Sequence, residues 1–333
     1  MTATGELEQR RRRARIVPAR ARQRGPRRMK RVLCVGECML ELTHTGERTL
    51  RLDFAGDTYN TAVYLRRVAT ELGVEAEVGY LTGLGVDPYS AAMRDAWRAE
   101  TIVDRSYTVP ERAPGLYAVR TDSTGERSFT YWRDASAARR LFAGTDWIRA
   151  LDGDVVHLSG VTLQLTSPPA REALVARLRE LRTRGGWVSF DTNYRPSGWP
   201  SRGDAAAAMA EVCKVADIVL ASRDDEDLLH GPSALEDTVR RLAALGPREV
   251  VLRDGPNGAY IVVGGAIERV AARPVEQVVD TTAAGDASAG AYLAARLADE
   301  PPAQAAAIAC AAAAVVIQHR GALAPPGVTL VDR

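Results

Sequence analysis

The segment "VVDTTAAGDASAGAYLAARLA", residues 278–298, passes from a β-branched pair through a turn of very small residues into a helical pattern. Asp280, Thr282, Ala283, Ala284, Gly285 and Asp286 all fall within it. If the helix starts near Ala284, its unpaired N–H groups and the positive end of its dipole face the turn. Residues this small let an anion approach the backbone, and phosphate suits such a site best. A carboxylate at Asp286 would repel a static phosphate. It makes sense beside a hydroxyl, taking that proton while the N–H groups neutralise a phosphoryl group in transfer. The competing reading is structural, with small residues for a tight turn and Asp286 as an ordinary first-turn helix carboxylate. On these residues alone the two stand level.

Other polar residues follow strand-like runs. Asp191, Asn193 and Arg195 come after 187–191, and Ser222, Asp224, Asp225 and Glu226 after 217–220. Arg253, Asp254, Gly255 and Gly258 come after 249–253, and the opening segment after a strand expected at 276–279. In an open α/β sheet, ligands bind beyond the carboxyl ends of the strands. Near the amino end, Gly56, Asp57 and Asn60 open the helical pattern "DTYNTAVYLRRVATEL". Glycine and short polar side chains suit close contact with hydroxyls, although Asp57 also suits a plain helix cap.

These groups need a scaffold, and the chain supplies one. Strand patterns at 31–42 and 77–85 alternate with helical patterns at 57–72 and 88–100. The alternation resumes from 154 to 253, with helices near 168–183, 202–212 and 234–244. This predicts an α/β fold with a mostly parallel central sheet between helices. An antiparallel pair over 258–272 and helices at 284–298 and 303–318 complete it. Between the two halves, "PGLYAVRTDSTGERSFTYWR" holds two alternating runs around a turn and reads as a hairpin. With the runs at 39–54, the hairpin at 114–133 predicts a small lid sheet. Tyr117, Tyr131 and Arg133 lie on it.

Composition narrows the function classes. No apolar run approaches the ~20 residues needed to span a bilayer. The four cysteines, at 34, 38, 213 and 310, show neither paired spacing nor companion histidines, so neither a zinc site nor a disulfide framework is supported and a reducing cytoplasm is the simplest compartment. Only two lysines occur, Lys30 and Lys214, which excludes P-loop and Schiff-base chemistry. Residues 1–31 carry twelve Arg or Lys against two Glu, a net of +10; the formal +2 of the whole chain leaves −8 for residues 32–333. The segment 1–30 has no signal-like apolar core. A nucleic-acid arm, a targeting segment and an upstream translation start compete as readings of it, and it reads as an extension that adds nothing to the fold. Residues 31–325 form the expected domain and 326–333 a C-terminal tail.

"DTTAAGD" resembles the signature of the ribokinase-like, phosphofructokinase-B type carbohydrate kinases, whose usual form has glycine at position 283. "GECMLEL", "FAGDTYNTAVYLRR", "YLTGLGVDPYS", "FDTNYRP" and the hairpin segment resemble the 2-keto-3-deoxygluconate kinase branch, in which alanine at 283 is usual. The resemblance implies a ribokinase-like three-layer α/β/α fold and transfer of a phosphoryl group from ATP, with Mg²⁺, to the 6-hydroxyl of 2-dehydro-3-deoxy-D-gluconate. Fructose, ribose or another sugar acid is the alternative substrate. It leaves room for a monovalent cation and implies a homodimer formed through the lid; from the sequence itself, neither a membrane nor a nucleic acid is expected as partner.

The resemblance also implies residue roles. Asp286 is the expected base, with Ala283, Ala284 and Gly285 as the backbone anion hole. Gly56, Asp57, Asn60, Asn193, Tyr117 and Tyr131 are expected to contact the sugar. Arg133 and Arg195 suit its carboxylate, for which a guanidinium fork is a natural partner. Ser222, Arg253, Gly255, Gly258, Asp280 and Thr282 are expected on the nucleotide side, and Asp225 near Mg²⁺ through water.

Overall fold

The computed structural model describes residues 28–121 and 127–331. Most of the basic extension, and the hairpin turn expected at 122–126, lie outside them.

The chain enters the centre of the main sheet through β1 (Lys30–Val35) and leaves it at once for β2 (Met39–His44) and β3 (Leu50–Ala55). Helix α1 (Asp57–Glu71) returns it to β4 (Ala76–Leu81); β5 (Gly83–Leu84), α2 (Pro88–Ala99), β6 (Val103–Asp104) and β7 (Tyr107–Thr108) follow. β8 (Leu116–Thr121) and β9 (Arg127–Trp132) then pair antiparallel. After α3 (Ala137–Phe142) come β10 (Val155–Ser159), α4 (Gly160–Leu165), α5 (Pro168–Thr183), β11 (Trp187–Asp191) and α6 (Arg202–Cys213). β12 (Ile218–Ser222), α7 (Arg223–His230), α8 (Leu235–Ala244) and β13 (Glu249–Arg253) complete the parallel part. Antiparallel β14 (Ala259–Val263) and β15 (Ala266–Val270) close the edge, followed by α9 (Ala284–Leu297) and α10 (Pro302–Val316).

The nine-stranded sheet runs β15-β14-β13-β12-β11-β10-β1-β4-β6. β1 pairs in parallel with β10 on one side and β4 on the other, so the strand order reverses there and opens a crevice at the carboxyl ends. β2, β3, β8 and β9 form a separate four-stranded sheet in the order β3-β2-β8-β9.

Each face of the main sheet carries its own core. One gathers α1, α9 and α10 with Val32, Val78 and Tyr80, and the other gathers α3–α8 around Phe142, Trp147 and Phe190. On the first, Ala-rich α9 packs directly on α1. A Cβ on Gly290 would sit 2.6 Å from Thr61 O and 2.7 Å from Leu65 N, so only glycine permits this approach. Both helices begin at the crevice, and the close packing fixes the distance between their first turns.

Two expectations change. No strand forms at 276–279; Val278 and Val279 are exposed, and Val279 and Asp280 donate their N–H groups to Ile317 O instead. Its backbone follows the end of α10 instead of adding to the sheet beyond β15. At the other end, Leu330 and Val331 are buried in the first core, and Glu71 accepts both of their backbone N–H groups. The C-terminal segment thus contributes to the core rather than trailing from it.

Candidate active site

Helix α9 begins in an unusual way. Its N-cap, Ala283, adopts the left-handed conformation with φ 59° and ψ 11°, which costs an L-residue with a Cβ about 1–2 kcal/mol. This geometry explains why glycine is usual at that position. No side chain caps the helix, and the N–H of Ala284 bonds back to Thr281 O at 3.2 Å. That bond engages Ala284 of the expected trio of Ala283, Ala284 and Gly285, and the N–H of Asp286 joins that of Gly285 in the first turn of the helix. Asp280 holds the turn from beneath by accepting the N–H groups of Thr282 at 2.7 Å and Gly321 at 2.8 Å.

Gly285 is informative because the protein does not require it. A Cβ there would meet only the Arg253 guanidinium at 3.5 Å, an ordinary contact. The missing side chain leaves open space at a positive helix end, which fits a phosphate of a nucleotide.

Asp286 sits beside it in the first turn of α9. Its Oδ2 accepts the side-chain N–H of Asn60 on α1 at 2.8 Å, and its carbonyl accepts the Thr61 hydroxyl at 3.3 Å. Desolvation, then the negative charges of Asp57 and Asp191, push its pKa up to about 7, while Asn60 and Arg253 restrain it. A carboxylate poised there is matched to accept a proton at neutral pH. Across the crevice, Asp57 accepts the side-chain N–H of Asn193 at 2.7 Å, with Asn193 held at φ 28°. Gly56 precedes Asp57, and a Cβ on it would fall 2.1 Å from Glu37 O. The structure thus gathers Gly56, Asp57, Asn60, Asn193 and Asp286 at one place.

The lid faces this group. Tyr131 is half-exposed; desolvation raises the pKa of its hydroxyl, while Arg133 and Arg195 both lie close enough to lower it. Both arginines already have protein partners. Arg133 pairs with the buried carboxylate of Glu37, and Arg195 bonds Asp225 at 3.0 Å. Tyr117 is buried 5.6 Å from the Tyr131 ring, and its hydroxyl donates to Glu41. Its hydroxyl is thus engaged within the lid sheet.

The nucleotide side is also rearranged. Arg253 is inside the protein, where Nη1 donates to Asp191 Oδ2 at 2.9 Å and to Gly285 O at 2.8 Å, and Nη2 donates to Asp191 Oδ1 at 2.8 Å. It lies behind the turn, not on the open face expected for a nucleotide contact. Ser222 caps α7 by accepting the Asp225 N–H at 3.3 Å. Gly258 is demanded by the fold itself, since φ is 98° and a Cβ would lie 2.0 Å from Val270 O. Gly255, at φ 49°, has open space around it and remains available to a ligand. Among the described residues no group of three or more His, Cys, Asp or Glu is arranged to hold a metal ion. Asp225 bonds Arg195 at 3.0 Å beside the Ser222 cap. His157 is buried against the Ser189 hydroxyl at 3.0 Å, and burial lowers its pKa to about 4.

Sequence reasoning gave no role to Glu37, Glu41 or Asp191. Each is a buried carboxylate held by a residue that was expected to bind ligand. The signal available was the placement of Glu37 and Asp191 at the carboxyl ends of β1 and β11.

A switch-point crevice, an open helix terminus and a carboxylate poised beside it, under a small β-sheet, define a kinase of the ribokinase-like fold. The chain belongs to the pfkB family of carbohydrate kinases, whose profile matches residues 29–327. It is 40% identical over 306 residues to the 2-dehydro-3-deoxygluconokinase of Escherichia coli strain K12, covering 89% of this chain and 97% of that protein. It is 37% identical over 310 residues to the 2-dehydro-3-deoxygluconokinase of Dickeya dadantii, with 89% and 97% covered. In structure it resembles the fructokinase of Vibrio cholerae O395 in its fructose, ADP and calcium ion bound form. That match has a TM-score of 0.76, 25% identity, and covers 88% of this chain and 94% of that one.

Proposed function

We propose that this protein transfers the γ-phosphoryl group of ATP to the 6-hydroxyl of 2-dehydro-3-deoxy-D-gluconate. The observation that carries the reading is the placement of Asp286, a carboxylate with a pKa of about 7 directly beside the open N–H groups of α9. Asp286 takes the hydroxyl proton as the oxygen attacks. The N–H groups of Gly285 and Asp286 receive the charge of the phosphoryl group in transfer, and positioning with electrostatics is most of what this reaction requires. Mg²⁺, held through water near Asp225, would neutralise charge on the nucleotide phosphates.

Substrate choice is supported by two kinds of observation. The 2-dehydro-3-deoxygluconokinases of Escherichia coli and Dickeya dadantii match at 40% and 37% identity, against 25% for the fructokinase structure. Arg133 and Arg195 also converge on Tyr131 at the lid, where a sugar carboxylate can share their charge with Glu37 and Asp225. Asp57, Asn60 and Asn193 hold the hydroxyls. The turn held by Asp280 is the place for a monovalent cation. Leu50, Leu52, Phe129 and Trp132 are exposed on the lid and support pairing of two copies there. Among the described residues no helix is long and apolar enough to cross a membrane, and use of ATP with unpaired cysteines fits work in the cytoplasm.

A coupled ADP-release assay with the keto-deoxy acid, fructose and ribose tests the substrate. Preference for the acid is expected, reduced at least about tenfold in Arg195→Ala through KM. Equal turnover of fructose would overturn the assignment.

A further inference from the structure

Asp191, Arg253 and Gly285 join three elements at one point behind the crevice. The guanidinium of Arg253, from the end of β13, reaches past β12 to grip both oxygens of Asp191 at the end of β11, and holds the Gly285 carbonyl as well. Asp191 is 4% exposed and the Arg253 side chain 13%. The sheet does not need this bridge, because β11, β12 and β13 are already paired by backbone hydrogen bonds. Nor are buried ion pairs reliable sources of stability, since apolar replacements often serve as well. What the bridge adds is a second hold, besides the helix's own hydrogen bonding, on the peptide between Gly285 and Asp286.

We propose that the Asp191–Arg253 pair is the positioning element of the site: it tethers the Gly285 carbonyl and so aims the first turn of α9, with its N–H groups and Asp286, at the reacting hydroxyl and phosphoryl group. This inference rests on the phosphotransfer reading. A carbonyl held from behind turns the following N–H forward, which is the geometry an anion-accepting turn needs. The pair also brings two opposite charges to Asp286 at once. The groups facing Asp286 are Asp57, Asn60 and Tyr64 from α1, Asp191 from β11 and Arg253 from β13. The two members of the pair act on its proton affinity in opposite senses.

Four proteins test this: wild type, Asp191→Asn, Arg253→Met and the double variant. Two readouts are needed, the pH dependence of kcat/KM and a carbon-13 NMR titration of the Asp286 carboxyl without substrate. Asp191→Asn removes the carboxylate that most directly offsets the guanidinium, so Asp286 should titrate lower by about one unit. Arg253→Met should move it higher by a similar amount, and the double variant should return towards wild type. The double variant should nevertheless lose about tenfold or more in kcat, because the carbonyl tether is gone. Arg253→Lys, which keeps the charge but not the fork, should titrate like wild type and still lose kcat; it serves where the Met variant does not fold. Shifts of the same sign in both single variants, or full kcat in the double variant, would overturn the proposal. If instead wild type fails to phosphorylate any sugar, the phosphotransfer reading falls, while the substrate-free titrations still decide whether the pair governs Asp286.

Discussion

Asn60 on α1 donates its side-chain N–H to the Asp286 carboxylate on α9 across 2.8 Å, beside the bond from the Thr61 hydroxyl to the Asp286 carbonyl at 3.3 Å. It follows from packing further along. Gly290 lets α9 lie against the backbone of α1, so their first turns cannot spread apart. The bond favours the ionised carboxylate, against desolvation and the charges of Asp57 and Asp191. Wild-type kcat/KM should therefore fall away below a pH of about 7. In Asn60→Ala the acid limb should move up by roughly half a unit to one unit. A pH–rate profile that stays in place would show that this bond does not set the base.

Asp286 also carries a stability signature of definite sign. Its folded pKa of about 7 lies above its ordinary value of 3.8, so the folded protein binds the extra proton. The associated stability is fully present below pH ~4 and is lost as pH rises to about 7, by at most about 1.4 kcal/mol per unit. Asp286→Asn should abolish this fall, giving a higher Tm than wild type at pH 8, with kcat reduced roughly 10²–10⁴-fold. Thermal denaturation across pH 4–8 is the measurement. A lower Tm for the variant at pH 8 would contradict the burial argument.

Gly285→Ala separates fold from ligand. The added methyl meets only Arg253 at an ordinary 3.5 Å, and alanine suits a helix better than glycine by about 1 kcal/mol. Tm should hold or rise slightly while kcat drops about ten- to a hundredfold, because the methyl occupies the phosphate's approach. Unchanged turnover would mean that nothing comes close to this backbone.

Ala283→Gly should stabilise the protein. The left-handed Ala283 costs about 1–2 kcal/mol, and the greater freedom of glycine in the unfolded chain offsets about half of the relief. A net gain of about 0.5–1 kcal/mol, or a degree or so in Tm, is expected in equilibrium unfolding.

The order of elements, the lid strands and the edge pair over 258–272 were legible because each follows a hydrophobic period that neighbouring turn residues delimit. Asp286 was legible because few other roles suit a carboxylate among such small residues. The partners of the arginines were not. Whether Arg253 faces a nucleotide or Asp191 depends on β12 lying between their strands, and Arg133 meets Glu37 only once the lid has folded back over β1. Such contacts join residues distant in the chain, and no local pattern encodes them. Val278 and Val279 misled for a related reason. Their β-branched character is strand-like, but the N–H groups of Val279 and Asp280 go to Ile317 O at the end of α10, a partner that no local pattern shows.

A single residue, Gly56, separates the last lid strand from the helix that carries Asp57 and Asn60. With Glu37 O only 2.1 Å from where its Cβ would stand, that residue is also pinned against the link between β1 and β2. The junction works as a short crank: there is no slack in which a rotation of the lid could dissipate before it reaches the first turn of α1. Tilting the small sheet and re-aiming the two side chains nearest Asp286 are, at this corner of the molecule, one movement.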